Sequence, residues 1–339
     1  MKKIPPVTEE EWLLCNEFNR NLRDEFIENS TELSPKSLDS YRSNLTIWFN
    51  WVRQHCDNKR QVDIKPRDYL RFQNWLVNLD HSPADISNKR SAISSLNNYI
   101  IVYYEDDFPT FRNFISKAIK KPEPRLVNEK KPPTIAEMQM LCEAIENSDV
   151  KDKYMKIAWL KFSWETGCRR AESIQLLKSI VNQEPITRMV KVKDENGNLV
   201  EREAVYYMTH TIRCKGRGKT GKLRKFKFSD YSMDAIKKWL EVRGEDDCEY
   251  VFVTKTASGV KQLAPETLNQ WCANTFSKIL GRRFHPHLIR AARATSIVVE
   301  EGKSVEAAQK LLGHASSEVT KSHYIVRDTD DDEADELFT

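Results

Sequence analysis

The sequence predicts a mainly α-helical protein with a small antiparallel β-sheet in its second half. Three observations predict this. From Thr8 to about residue 116, apolar residues recur at helical spacing behind Ser/Thr and Pro start signals. Residues 186–228 change to short strand-like segments broken by turn residues. Helical spacing resumes at 230. A chain of 339 residues is expected to form two domains or one large one.

Thr8-Glu9-Glu10-Glu11 is a capping box, and Leu14, Phe18, Leu22 and Phe26 then recur every four residues, so one helix is expected over 8–28. Ser34-Pro35 starts a second, with serine as cap and proline where no N–H is needed. Leu38, Tyr41, Leu45, Trp48 and Val52 form its stripe. Pro66 starts a third, carrying Leu70, Phe72, Trp75, Leu76 and Leu79. Ser82-Pro83 starts a fourth, with Ile86, Ile93, Leu96 and Ile100. A shorter helix near 110–120 closes a helical first domain, residues 1–116. Lys117 to Pro133 holds six bases, two acids and four prolines without apolar periodicity. That is linker composition, either a solvated spacer or a strap across a polyanion.

A second domain is expected over 134–327. It opens with helices 134–147 and 151–166, the latter with Met155, Ile157, Trp159, Leu160, Phe162 and Trp164. Met189–Val192, Val200–Met208 with Thr211–Arg213, and Leu223–Phe228 are the strands, separated by Asn196-Gly197-Asn198 and by Gly216–Gly221. Helices follow at 230–243, 265–280, 286–301, 304–312 and 317–325. From Asp328 the last twelve residues hold seven acids and no base, a tail expected to be disordered or partner-dependent.

Hydrophobic residues (40%) suffice for real cores beside 31% charged residues, which excludes a fully disordered chain. No apolar run approaches bilayer length, and Met1-Lys2-Lys3-Ile4-Pro5-Pro6 leads into no signal-peptide core. A cytoplasmic protein without membrane contact is expected. Cysteines 15, 56, 142, 168, 214, 248 and 272 show neither C-x-x-C pairing nor zinc-finger spacing. They read as reduced, mostly buried thiols, with no structural metal and no disulfide framework.

Four segments could carry chemistry. Arg213 to Lys227 has eight bases and no acid on an expected hairpin, a cationic finger suited to phosphate. Its Gly218-Lys219-Thr220 is not a nucleotide-binding loop, because the glycine required at 213 is Arg213. In His285-Pro286-His287-Leu288-Ile289-Arg290, Pro286 suits a first helical turn, so His287 and Arg290 share a face and could grip a phosphate from two sides. Metal binding by His285 and His287 is the weaker alternative, lacking an evident third ligand. In Leu311-Leu312-Gly313-His314, Gly313 ends a helix and aims His314 from the turn; Tyr324 stands ten residues later. Thr166-Gly167-Cys168-Arg169-Arg170-Ala171-Glu172 fits a phosphate-binding turn, or simply a helix C-cap followed by an Arg–Glu ion pair.

In chain order these segments resemble the tyrosine recombinase (phage integrase) family. Its T-G-x-R-x-x-E box matches Thr166, Gly167, Arg169 and Glu172. Its hairpin lysine pattern matches Lys219-Thr220-Gly221-Lys222-Leu223-Arg224, its P-H-x-x-R box matches Pro286, His287 and Arg290, and its L-L-G-H box matches 311–314. The nucleophile that follows matches Tyr324. Two departures stand out. The family tyrosine ordinarily follows the Gly-His histidine by one residue less, a place held here by His323, and one residue turns a helix by roughly 100°. Either the preceding turn absorbs this or the site is misaligned. Ala291 stands where members often carry histidine.

The resemblance implies a helical, SAM-like core-binding domain joined by the basic linker to an α+β catalytic domain. It implies a site-specific DNA recombinase working through a 3′-phosphotyrosyl intermediate, for integration or excision of a phage or mobile element. Tyr324 would attack, with His287 as proton acceptor. Arg169 and Arg290 would hold the non-bridging oxygens, Lys219 (second choice Lys215) would protonate the leaving 5′-oxygen, and His314 would donate to the phosphate. No metal, ATP or other cofactor is implied. Lys120, Lys121, Arg125, Lys130 and Lys131 of the linker and Arg213, Lys215, Arg217, Lys222 and Arg224 of the hairpin are the expected DNA contacts. Double-stranded DNA, a homotetramer on paired sites, accessory DNA-bending or directionality proteins, and a nucleoid-associated location are the implied partners and setting. A type IB topoisomerase-like or telomere-resolving enzyme and a non-catalytic DNA-binding regulator on the same fold are the alternatives. The formal net charge of +4 rises to +11 once the tail's seven acids are set aside, and the excess concentrates in the linker and hairpin.

Overall fold

The computed structural model describes residues 3–115, 119–120, 122–123, 131–193, 198–215 and 221–313. These fall into two compact units, one within residues 1–129 and 216–221 and one within 130–215 and 222–339.

The first unit is helical: α1 (Glu9–Leu13), α2 (Glu17–Asn29), α3 (Pro35–His55), α4 (Pro66–Asn78) and α5 (Pro83–Tyr103). Ser34 and Ser82 cap α3 and α5 through their hydroxyls, each with proline in the first turn, as the start signals require. The core is aromatic. Trp48 stacks on Trp51 at 5.7 Å and meets Phe72 edge-on at 4.9 Å. Burying Trp48 requires a partner for its indole N–H, and Gln61 Oε1 accepts it at 2.8 Å. Gln61 Nε2 then donates to Asn97 Oδ1 (2.7 Å) and Asn97 Nδ2 to Asn113 Oδ1 (3.0 Å). This satisfied polar chain crosses an apolar interior and fixes how α3, α5 and the segment after α5 pack.

Three expectations for this unit are corrected. The helix expected over 8–28 is broken: α1 stops at Leu13, and Asn16 caps α2 by accepting from Phe18 N. Asn58 holds the break by accepting from Asn16 N and donating to Leu14 O, which leaves Leu14 63% exposed. The described residues of 110–120 form no helix. Asn113 instead ties this segment to Ser94 while accepting from Ile115 N, and Phe111, Phe114 and Ile119 fill the core. Leu70 points outward from α4.

The second unit opens with α6 (Ile135–Glu146), α7 (Lys153–Thr166) and the single turn α8 (Arg170–Ser173). Strands β1 (Ile186–Lys193) and β2 (Leu199–Met208) pair antiparallel, with Val190 opposite Arg202. β3 (Ile212–Cys214) pairs with β4 (Lys222–Arg224), and β5 (Lys227–Phe228) returns to β2. α9 (Asp230–Arg243) follows. A hairpin of β6 (Val253–Thr256) and β7 (Gly259–Gln262) comes next, which the sequence reading did not anticipate. The unit continues with α10 (Pro265–Trp271), a π-helical turn to Phe276, α11 (Ser277–Leu280), α12 (Pro286–Thr295), a second π-helical turn to Glu300, and α13 (Val305–Leu312). α7 is the central element: Met155, Ile157, Trp159, Leu160 and Phe162 are buried, and the helix packs against α6, α9 and α12. Burial all round a helix of this length marks it as the core on which the other elements are laid.

All seven cysteines are free thiols. Among the described residues no helix is long and apolar enough to cross a membrane.

Candidate active site

α7 ends where Gly167 turns into the left-handed region (φ 56°), which only glycine enters without cost. The space would refuse a side chain even so, since a Cβ there would stand 2.6 Å from Leu312 Cδ2. Two residues on, Arg169 stands at the N-cap of α8 with extended backbone. Its backbone N–H donates to Glu172 Oε2 (2.8 Å) and its Nη1 to Oε1 of the same carboxylate (2.9 Å). The helix C-cap and the Arg–Glu pair are therefore both present, and they orient the arginine. Glu172 is 2% exposed, whereas the Arg169 side chain keeps 25% of its surface open. Burial pushes the Glu172 pKa up. The Arg169 backbone N–H, the Arg169 guanidinium and Arg290 outweigh it and hold the carboxyl below its ordinary range. It is thus ionised at neutral pH.

Pro286 places His287 and Arg290 on the first turns of α12. His287 is exposed, its ring centroid 6.4 Å from that of His285. No cluster of three metal-ligating side chains occurs among the described residues. Arg290 is 1% exposed and reaches two helix ends: Nη1 donates to Gly167 O and Nη2 to Leu312 O (2.5 Å). Leu312 is the last residue of α13, which Gly313 closes at φ 66°. Cys168 lies beside these arginines as a thiol whose pKa burial pushes up to about 12, so it stays protonated there.

The hairpin β3–β4 joins the same place. Arg224 sends Nη1 to Leu312 O (2.9 Å) and Nη2 to Leu311 O (2.8 Å). At the hairpin's base Gln175 both donates to Arg213 O (2.9 Å) and accepts from Arg213 N (3.1 Å), as a strand would. Sequence reading missed Gln175. Its only signal is a place one helical turn beyond Glu172.

Of the expected site residues, the structure brings Arg169 and Arg290 around Glu172 and the Gly167 turn, beside the Leu312–Gly313 turn and Arg224. His287 stands exposed at the start of the helix that carries Arg290. Lys219, His314 and Tyr324 lie outside the described residues, as do Lys121, Arg125, Lys130 and Arg217. Lys120, Lys131, Arg213, Lys215 and Lys222 are exposed. The backbone carbonyls of Lys120 and Lys131 accept from Gln73 and Arg282.

Residues 134–330 match the phage integrase family. The chain is 31% identical to the SPbeta prophage-derived recombinase-like protein YomM of Bacillus subtilis, over 99% of this chain and 95% of that one. Tyrosine recombinase XerC of Pediococcus pentosaceus is 22% identical, over 89% and 91%. Among solved structures, the Tn1549 transposon integrase in complex with transposon right end DNA aligns at TM-score 0.65 and 14% identity, covering 94% of this chain and 98% of that one. XerH site-specific recombinase bound to a palindromic difH substrate aligns at TM-score 0.62 and 17% identity, over 99% and 97%. With its fold, its ordered boxes and these relatives in agreement, the chain belongs to the phage integrase family of tyrosine recombinases, enzymes of site-specific DNA breakage and rejoining.

Proposed function

We propose that this recombinase cuts DNA with Tyr324. The tyrosine oxygen attacks a backbone phosphorus, the bond to the 5′-oxygen breaks, and a 3′-phosphotyrosyl link and a free 5′-hydroxyl result. His287 accepts the tyrosine proton, needed because a phenol near pKa 10 is mostly protonated at neutral pH. Arg169 and Arg290 hold the non-bridging oxygens, where charge builds, Lys219 gives the leaving oxygen its proton, and His314 donates to the phosphate. Rejoining is the same step reversed with another strand's 5′-hydroxyl, so the phosphodiester energy is conserved without ATP.

The observation that carries this reading is the meeting of four distant segments: the Gly167–Arg169 turn, Arg290, the Leu312–Gly313 turn and Arg224. The reading extends to domain use. Residues 1–116 form the core-binding domain and 117–133 the basic linker. Residues 134–327 form the catalytic domain, and 328–339 an acidic tail that docks on a neighbouring subunit or screens the basic groove. The linker cations with Arg213, Lys215, Arg217 and Lys222 meet phosphate. A homotetramer on paired double-stranded sites, helped by accessory DNA-bending or directionality proteins, acts at the nucleoid in the cytoplasm. The resemblance to a prophage-derived protein favours integration or excision of a mobile element.

A nicked suicide substrate tests this. The parent protein should form a covalent DNA adduct that Tyr324→Phe loses while still binding DNA. Binding without an adduct would leave a DNA-binding regulator, and relaxation of supercoils without exchange between sites would leave a topoisomerase.

A further inference from the structure

The cationic run of the hairpin does not point one way. Strand pairing sets Arg224 opposite Ile212, whose side chain is buried, whereas Arg213 opposite Leu223 faces outward. The Arg224 guanidinium lies 4.9 Å from the centroid of buried Phe226 and forks onto Leu311 O and Leu312 O. A Cβ on Gly313 would overlap its Cζ and Nη1, so the planar group rests against the glycine backbone. Leu311 and Leu312 belong to the last turn of α13, where carbonyls have no helical N–H partner and where positive charge is favoured.

We infer that Arg224 is a positioning residue of the recombination site, a clamp by which the lysine-bearing hairpin holds the C-terminal turn of α13, the turn from which the chain passes directly into His314. The inference rests on the recombinase reading above and reassigns Arg224 from its expected role as a phosphate contact. A forked, planar donor is required, because two adjacent carbonyls are bridged at once. A lysine supplies the charge but only a point donor. The same Leu312 carbonyl accepts from Arg290, so release of Arg224 also loosens the seat of an arginine that would hold the phosphate.

The test uses the full chain with Arg224→Lys and Arg224→Gln, on a nicked suicide substrate and its 5′-bridging phosphorothiolate analogue, whose thiolate leaves without a proton. Both variants should form the adduct about tenfold or more slowly at saturating DNA. The slope of log affinity against log salt should be unchanged, and the sulfur analogue should restore nothing. A phosphate contact behaves differently: its loss lowers the salt slope by about one and Lys substitutes well. Three results overturn the inference: an Arg224→Lys protein that reacts at the parent rate, a slope lowered by about one with the rate restored at saturation, or recovery on the sulfur analogue, which would assign Arg224 to the lysine's proton transfer. If Arg224→Gln melts out, Arg224→Lys still decides. A parent protein that forms no adduct removes the recombinase reading itself, and this inference with it. A reacting parent beside an equally reactive Arg224→Lys removes the inference alone.

Discussion

Gly167→Ala should destabilise the second unit through two separable causes. The first is the backbone: φ of 56° lies in the left-handed region, where alanine costs about 1 kcal/mol more than glycine. The second is space. The new Cβ would stand 2.6 Å from Leu312 Cδ2, and Leu312 is fully buried, with little room to retreat. Overpacking of this kind costs about 1–3 kcal/mol. Together they amount to about 2–4 kcal/mol, a melting temperature lower by about 5–15 °C for a unit of this size. Gly281→Ala is the control: its φ is 66° but nothing stands within 4 Å of its Cβ, so it should cost only the backbone part, about 2–4 °C.

The same numbers predict a coupling. Leu312→Ala alone should cost about 2–5 kcal/mol as a core truncation. In the Gly167→Ala background it removes the clashing methyl, so the double variant should be more stable than the sum of the singles by about 1–3 kcal/mol. Thermal melts of the four proteins measure this. Additive losses, or a Gly167→Ala melt indistinguishable from Gly281→Ala, would refute the claim that the α7 and α13 turns are packed against each other through this glycine.

Other consequences follow from single contacts. Arg290→Lys cannot span Gly167 O and Leu312 O, so it should lower both the melting temperature and the rate of adduct formation, the latter by about a hundredfold or more; a near-parent rate would remove Arg290 from the chemistry. Glu172 has its pKa depressed in the folded chain, so its stabilisation is complete above the unfolded value of about 4.3 and is lost as pH falls toward the folded value. Glu172→Gln should therefore flatten the acid limb of melting temperature against pH below about pH 5, and an unchanged limb would sink the assignment. Asn16→Ala should cost about 1–2 kcal/mol through the lost α2 cap, read from denaturant melts; a loss under a few tenths would place the cap's role in Asn58 alone.

Local signals reported the elements they physically cause. Ser34, Ser82, Thr134 and Ser304 cap helices because each hydroxyl accepts from an N–H in the first turn, and Gly313 ends α13 because its φ is positive. Long-range terms were illegible. The stripe Leu14, Phe18, Leu22, Phe26 has perfect helical spacing, yet the helix breaks because Asn58, forty-odd residues away, pairs with the backbone at Asn16 and Leu14. The β6–β7 hairpin was hidden because its strands are only four residues each and only Val253 among them is buried outright. At the site, residue types were readable and directions were not. Nothing in the run Arg213–Lys227 distinguishes an inward arginine from an outward one, because the distinction is the strand register.

That register bears on how much of the basic excess can act on DNA. Strand alternation turns Ile212 and Cys214 inward and Arg213 outward, and Arg224 follows the inward side. As long as Arg224 keeps Leu311 O and Leu312 O, its guanidinium releases no counterion when DNA arrives. The hairpin's contribution to the salt dependence of binding should therefore fall short of its charge count by about one. Neutralising Arg213 should lower the slope while leaving the cleavage rate at saturation near parent. Neutralising Arg224 should do the reverse. If both substitutions moved the slope alike, the inward arginine would be exchanging its carbonyls for phosphate on binding, and the clamp would be a feature of the DNA-free protein only.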